Sequence, residues 1–159
     1  MPPESVVERI VSGGQTGADR GALDAASQLG LDRGGWCPRG RRAEDGRIPL
    51  HYPLQETDSA RYDVRTRRNV MESDGTLIFY RQRITGGTAL TRRLALELGK
   101  PCLAVDLSLP LDLETVRYWL GRWQIRVLNV AGPRESSCPG MERAVATALV
   151  QLLQPASRQ

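Results

Sequence analysis

VVERIVSGGQTGADRGALDAASQLG, residues 6–30, decides the fold. It opens as a short apolar strand and runs into a glycine pair, Gly13 and Gly14. Beyond the glycines, Ala18, Ala22, Ala25, Ala26 and Leu29 recur at three and four residues, giving a helix one apolar stripe to lay on a sheet. Thr16 and Asp19 have the spacing of an N-cap and its third-position partner, and Gly30 supplies the stop. The stretch reads as strand, glycine turn, helix.

The same unit returns downstream. GTLIFYR, residues 75–81, is a β-rich run, and after ITGGT comes a helix with Leu90, Leu94, Ala95 and Leu98 on one face, ended by Gly99 and Pro101. CLAVDL, from Cys102, reads as a buried strand, and Asp112 caps a short helix carrying Val116, Trp119 and Leu120. IRVLNVAG, residues 125–132, is a further strand, and a last helix over 139–153 buries Met141, Val145, Ala148, Leu149 and Leu152. A weaker strand is expected near Gly34 to Cys37. Apolar runs without alternation, separated by helices, indicate strands buried on both sides. The expected fold class is therefore α/β, Rossmann-like, with a mainly parallel sheet and helices on both faces. From Cys37 to Tyr62 no period is visible, and so long a segment inside a compact domain is usually functional, so it is expected to fold over a ligand.

Composition narrows the class. The 159 residues suit one unit, and 1–159 is read as a single Rossmann-like ligand-binding domain. No apolar run approaches the roughly 20 residues that span a bilayer, and MPPESVVERI lacks the basic start and apolar stretch of a secretory signal. A cytoplasmic protein with no membrane partner is expected. Cys37, Cys102 and Cys138 are irregularly spaced and fit neither a disulfide framework nor a zinc site, so no metal ligand is assigned. His51 is the only histidine, which excludes any mechanism needing two imidazoles. All but Lys100 of the 22 basic residues are arginine, and the formal net charge is +4. The planar arginine fork suits phosphate, which favours anionic ligands. No compact basic run with interleaved aromatics marks a nucleic-acid surface.

In an open parallel sheet, ligands bind at the carboxyl ends of the strands, where helix N-termini aim free amides into one crevice. Three turns fall at that edge: Gly13-Gly14-Gln15-Thr16-Gly17, Gly86-Gly87-Thr88, and Ala131-Gly132-Pro133-Arg134-Glu135-Ser136. Glycine lets backbone approach a phosphate closely, and Thr16, Thr88 and Ser136 add hydroxyl donors. Asp19 and Arg20 open the first helix at the crevice, the arginine suited to phosphate and the carboxylate to ribose or pterin donors. Asp74, in SDGT, is a turn residue. Glu44 and Asp45, near Arg39, Arg41 and Arg42, form a mobile lid or a solvated loop, and Trp36 and Tyr80 end strands where either can stack on a flat ring or pack in the core. No turn matches a phosphate loop ending in Gly-Lys-Ser/Thr, and the first departs from G-x-G-x-x-G, so neither an ordinary ATPase nor a dehydrogenase is supported.

Five blocks in order, SGGQTGADRGALDAA from Ser12, GWCPRGRRAEDG from Gly35, YDVRTRRNVMESDGTLIF from Tyr62, TGGTALT from Thr85 and NVAGPRES from Asn129, resemble the molybdenum cofactor carrier family of the SLOG superfamily. The resemblance spans nearly the whole chain. It implies a Rossmann-like fold that binds a nucleotide-like or pterin-phosphate ligand, with molybdenum cofactor (molybdopterin) as the ligand its name suggests, molybdoenzymes as acceptors and a homo-oligomeric state. By matching motif, Gly13, Gly14, Thr16, Gly17, Asp19 and Arg20 form the first ligand loop, and Gly86, Gly87 and Thr88 the second. The related phosphoribohydrolases follow their second loop with a catalytic glutamate. Here Thr91-Arg92-Arg93 offers no carboxylate, and Glu97 lies too far along the helix. That departure favours binding over nucleotide hydrolysis, so no catalytic residue is assigned. The alternative is a hydrolase that cleaves an N-glycosidic or phosphate bond of a nucleotide with Asp19 or Glu44 as acid/base group; a third reading is a single-stranded nucleic-acid binder.

Overall fold

The apolar stretch at the head of the chain becomes β1 (Arg9–Val11), which turns through its glycines into α1 (Ala18–Leu29) and returns as β2 (Asp32–Gly34), parallel to β1. The computed structural model describes residues 5–155; residues 1–4, part of MPPESVVERI, and residues 156–159 lie outside it. After β2 come β3 (Trp36–Cys37), β4 (Arg42–Ala43), β5 (Gly46–Arg47), β6 (Gln55–Glu56) and α2 (Tyr62–Met71). Then follow β7 (Gly75–Tyr80), α3 (Gly86–Glu97), β8 (Cys102–Asp106), α4 (Leu113–Arg122), β9 (Val127–Ala131) and α5 (Met141–Leu153).

The main sheet has the order β2-β1-β9-β7-β8, every pair parallel. β9, the last strand in sequence, inserts between β1 and β7, with Ile10 opposite Leu128 and Asn129 opposite Thr76. The carboxyl ends of β1, β9 and β7 are thereby neighbours, which brings the three glycine-bearing turns to one edge.

Side chains alternate across the pleat. Leu77 and Phe79 of β7 join Ile10, Leu128 and Val130 in a core that includes residues of α1, α4 and α5. Ile78 between them is equally buried but lies outside that cluster, as do Val70 of α2 and Leu94 and Ala95 of α3. α1 packs on α5, and α2 packs on α3. The sheet is covered on both faces, as its continuous apolar strands require.

Three local expectations change. α1 has Gly17, not Thr16, as its N-cap, with φ 81° and no side-chain cap, because the Thr16 hydroxyl is engaged elsewhere. The expected strand near Gly34 to Cys37 is split at Gly35 into β2, which joins the main sheet, and β3, which pairs with β6. α2 was not anticipated. Only Thr66, Asn69 and Val70 of it are buried, so its sequence shows no apolar stripe.

The segment from Cys37 to Tyr62 is built rather than structureless, and it lies over the first glycine turn. β4 and β5 form an antiparallel hairpin, and Cys37, Ala43, Ile48 and Tyr52 pack with Leu23 of α1 in a second apolar cluster. At its centre Arg41, only 6% exposed, donates to the carbonyls of Ile48, Pro49, Tyr52 and Leu54. Arg41 is therefore neither a lid residue nor a solvated cation.

Candidate functional site

A cavity of about 430 Å³ opens where the carboxyl ends of β1, β9 and β7 meet. That volume lies in the range of small-molecule sites. Of the expected site residues, Gln15, Asp19, Gly86, Gly87, Thr88, Gly132 and Arg134 line it. Gly13, Gly14, Thr16, Gly17, Arg20 and Ser136 do not.

From the first turn, Gln15 and Asp19 face the cavity, and each is fixed by backbone. Gln15 Oε1 accepts the N–H of Thr16 at 3.1 Å and of Glu44 at 2.9 Å, while its Nε2 is buried with no acceptor. Asp19 Oδ2 accepts the N–H of Gln15 at 3.1 Å. Burial pushes the Asp19 carboxyl above the usual carboxylate range, against the pull of Arg65, the Gln15 amide and Arg20.

The second turn opens α3. Thr85 is its N-cap with an extended backbone, so the first-turn amides of Gly86, Gly87 and Thr88 have no partner within the helix. Gly86, Gly87 and Thr88 all line the cavity, as does Thr91, whose hydroxyl donates to the Gly87 carbonyl at 2.9 Å. The macrodipole adds a partial positive charge at this end.

α2 supplies the wall that sequence reasoning missed. Tyr62, Arg65 and Thr66 all line the cavity. The Arg65 guanidinium sits 5.4 Å from the centre of the Tyr62 ring and 4.0 Å from the Asp19 carboxylate, and it donates to the Thr66 hydroxyl. Its Nε, like Gln15 Nε2, is buried without an acceptor. Arg83 and Thr85 line the cavity as well. The signals for this wall were the arginine count and the motif block from Tyr62, neither of which says which arginine comes inward.

The third turn divides its residues. Gly132 and Arg134 line the cavity together with Ser137, whereas Ser136 turns to the β4–β5 hairpin. Ser136 Oγ donates to Glu44 Oε2 at 2.6 Å, and the Thr16 hydroxyl donates to Glu44 Oε1 at 2.7 Å while accepting the Glu135 N–H at 3.1 Å. These hydroxyls, Ser136 first, hold the Glu44 carboxyl below its ordinary range.

Arg20 turns out of the cavity to the β4–β5 hairpin. One residue on from Asp19 is about 100° around the helix, so the two cannot share a face. The arginine is 8% exposed and grips Asp45 with two hydrogen bonds of 2.7 and 2.8 Å, its Nε donating to the Gly14 carbonyl. Gly14 packs on Ile48 and Leu54, and Gly17 on the third turn, so both serve loop packing. Trp36 and Tyr80 lie outside the cavity: Arg68 covers the Trp36 ring at 3.9 Å, and Tyr80 lines a groove between α3 and β8. Asp74 accepts the N–H groups of Arg126 and Val127 and holds the start of β9.

Among the described residues, no group of three or more His, Cys, Asp or Glu is placed to hold a metal, and no helix is long and apolar enough to cross a membrane. A parallel, doubly covered sheet with a polar cavity at its glycine turns defines a Rossmann-like α/β protein. The chain belongs to the circularly permutated YpsA SLOG family, which matches residues 10–153. It is similar to the crystal structure of a "Putative molybdenum carrier protein" from Syntrophus aciditrophicus SB, with 41% identity over 96% of this chain and 98% of that one and a TM-score of 0.90. No curated protein matches the chain.

Proposed function

We propose that the cavity binds a phosphate-bearing small molecule, and that the protein carries this ligand rather than transforming it. The observation that supports this best is the pair of buried donors without acceptors on side chains that line the cavity, Gln15 Nε2 and Arg65 Nε, the latter packed against Gly13 and able to meet a ligand once its guanidinium turns. An orphaned buried donor costs about 1 to 3 kcal/mol, and a ligand oxygen relieves that cost. The open amides of Gly86 to Thr88 and the guanidiniums of Arg83 and Arg134 add a second set of donors suited to a phosphoryl group.

Molybdenum cofactor is our candidate ligand, supported by the similar structure's name, a putative molybdenum carrier protein. Its phosphate fits the donor set at α3, and Asp19 offers an acceptor for ring N–H groups. Its metal is held by its own dithiolene sulfurs, so the lack of a thiol or imidazole cluster among the described residues does not stand against it. When bound, the group supplies a redox-active metal centre for delivery to a molybdoenzyme. In this reading the carrier is a cytoplasmic homo-oligomer.

Native mass spectrometry of the protein as isolated, with metal analysis of the same sample, tests the proposal. A pterin mass with molybdenum supports it, and no rise in melting temperature across a panel of pterins and nucleotides would remove it. One observation favours the hydrolase reading: Asp19 is a buried carboxyl with a raised pKa in the cavity wall. Release of free base or phosphate from nucleoside monophosphates, abolished in Asp19→Asn, would replace the carrier with that enzyme.

A further inference from the structure

We propose that a second anion subsite adjoins the cavity, built from Thr16, Ser136 and Arg134 and closed by the chain's own Glu44 carboxylate, which a ligand with two linked phosphoryl groups displaces. This rests on reading the cavity itself as a phosphate site. Four donors converge on Glu44: the hydroxyls of Thr16 and Ser136, the Ser136 N–H at 3.2 Å, and Arg134 Nε at 3.7 Å. A carboxylate and a phosphoryl group accept from the same kinds of donor.

The occupant comes from the tip of a short hairpin that is anchored on either side of it, by Ala43 in the apolar cluster and by Asp45 on Arg20. Glu44 is at the turn of the β4–β5 hairpin, whose strands are two residues each, too short to be stable by themselves. Its neighbour Asp45 keeps its own anchor on Arg20, so the hairpin can release Glu44 without leaving the fold.

Subsite and cavity share two side chains. Arg134 lines the cavity and faces Glu44. Gln15 lines the cavity and holds the Glu44 N–H on its Oε1, while its Nε2, in a residue 7% exposed, has no acceptor. An anion that reaches from the α3 amides to the third turn draws Arg134 off Glu44 and gives the Gln15 amide a reason to turn. A single phosphoryl group at α3 leaves the latch shut.

Calorimetric titration with inorganic pyrophosphate tests this on the full chain. Glu44→Ala is expected to bind pyrophosphate about tenfold more tightly than the wild type, and Ser136→Ala on that background to take the gain back. In the wild type, pyrophosphate is expected to speed amide hydrogen exchange at Glu44, whereas inorganic phosphate is not. Binding by Glu44→Ala no tighter than wild type, or unchanged exchange at saturating pyrophosphate, overturns the subsite. If Glu44→Ala unfolds, Glu44→Gln and the wild-type exchange measurement carry the same test. Phosphate binding that Arg65→Ala abolishes, together with pyrophosphate binding that Glu44→Ala leaves unchanged, keeps the cavity reading and sinks the latch; absence of any phosphate binding with a tightened pyrophosphate response in Glu44→Ala does the reverse.

Discussion

The guanidinium of Arg65 rests on the backbone of Gly13: a Cβ at Gly13 would come within 2.5 Å of Arg65 Nε. Gly13 does not line the cavity, yet its missing side chain lets α2 lower an arginine into the wall beside Asp19. Gly13→Ala is expected to keep the fold, since the crowded atoms belong to a flexible side chain, at a cost of about 1 kcal/mol. Its effect on phosphate affinity is expected to approach that of Arg65→Ala. Paired denaturation and titration check this, and an alanine variant with native affinity would show that the contact is incidental.

Gly17 makes a harder demand. Its φ is 81°, and a Cβ there would stand 2.4 Å from the Pro133 carbonyl oxygen, which accepts the first amide of α1 from Ala18 at 3.1 Å. Neither backbone can yield without parting the first and third turns. Gly17→Ala is expected to lose about 3 kcal/mol or more in urea unfolding, with an unchanged slope.

Arg41 ties the long segment together beside its apolar cluster. Arg41→Ala leaves four carbonyls short of a donor, and the loss is expected to be about 3 kcal/mol. Lysine lacks the planar fork, so Arg41→Lys is expected to recover less than half of it. Hydrogen exchange between residues 38 and 57 is the direct readout, and wild-type protection in the lysine variant would contradict this account.

The hairpin should let go in acid. Hydrogen bonds from Arg20 hold Asp45 below its ordinary pKa, and those from Ser136 and Thr16 do the same for Glu44. The folded state therefore binds fewer protons than the unfolded chain in the interval between the two sets of values. Stability from both groups is complete above about pH 5 and is lost as pH falls through the lowered values. The gap in melting temperature between wild type and Asp45→Asn is expected to be largest at neutral pH and to close as pH falls through the lowered carboxyl range. A gap that persists unchanged into that range would place the contribution of Asp45 elsewhere.

What could be read without coordinates was local. Continuous apolar runs, the helical stripe of Ala18 to Leu29 and the glycines at strand ends follow from backbone geometry within a few residues, so sequence alone determined a Rossmann-like class and three glycine-bearing turns at strand ends. α2 was hidden because its buried face is Thr66, Asn69 and Val70, too polar to leave an apolar period. Which side chains share the cavity was decided by tertiary structure. Asp19 and Arg20 are adjacent in the chain and part ways on the helix, while Glu44 meets Ser136 across 92 positions. Period and propensity act along the chain, whereas donors and acceptors pair through space, and that pairing exists only after β9 has entered the sheet between β1 and β7.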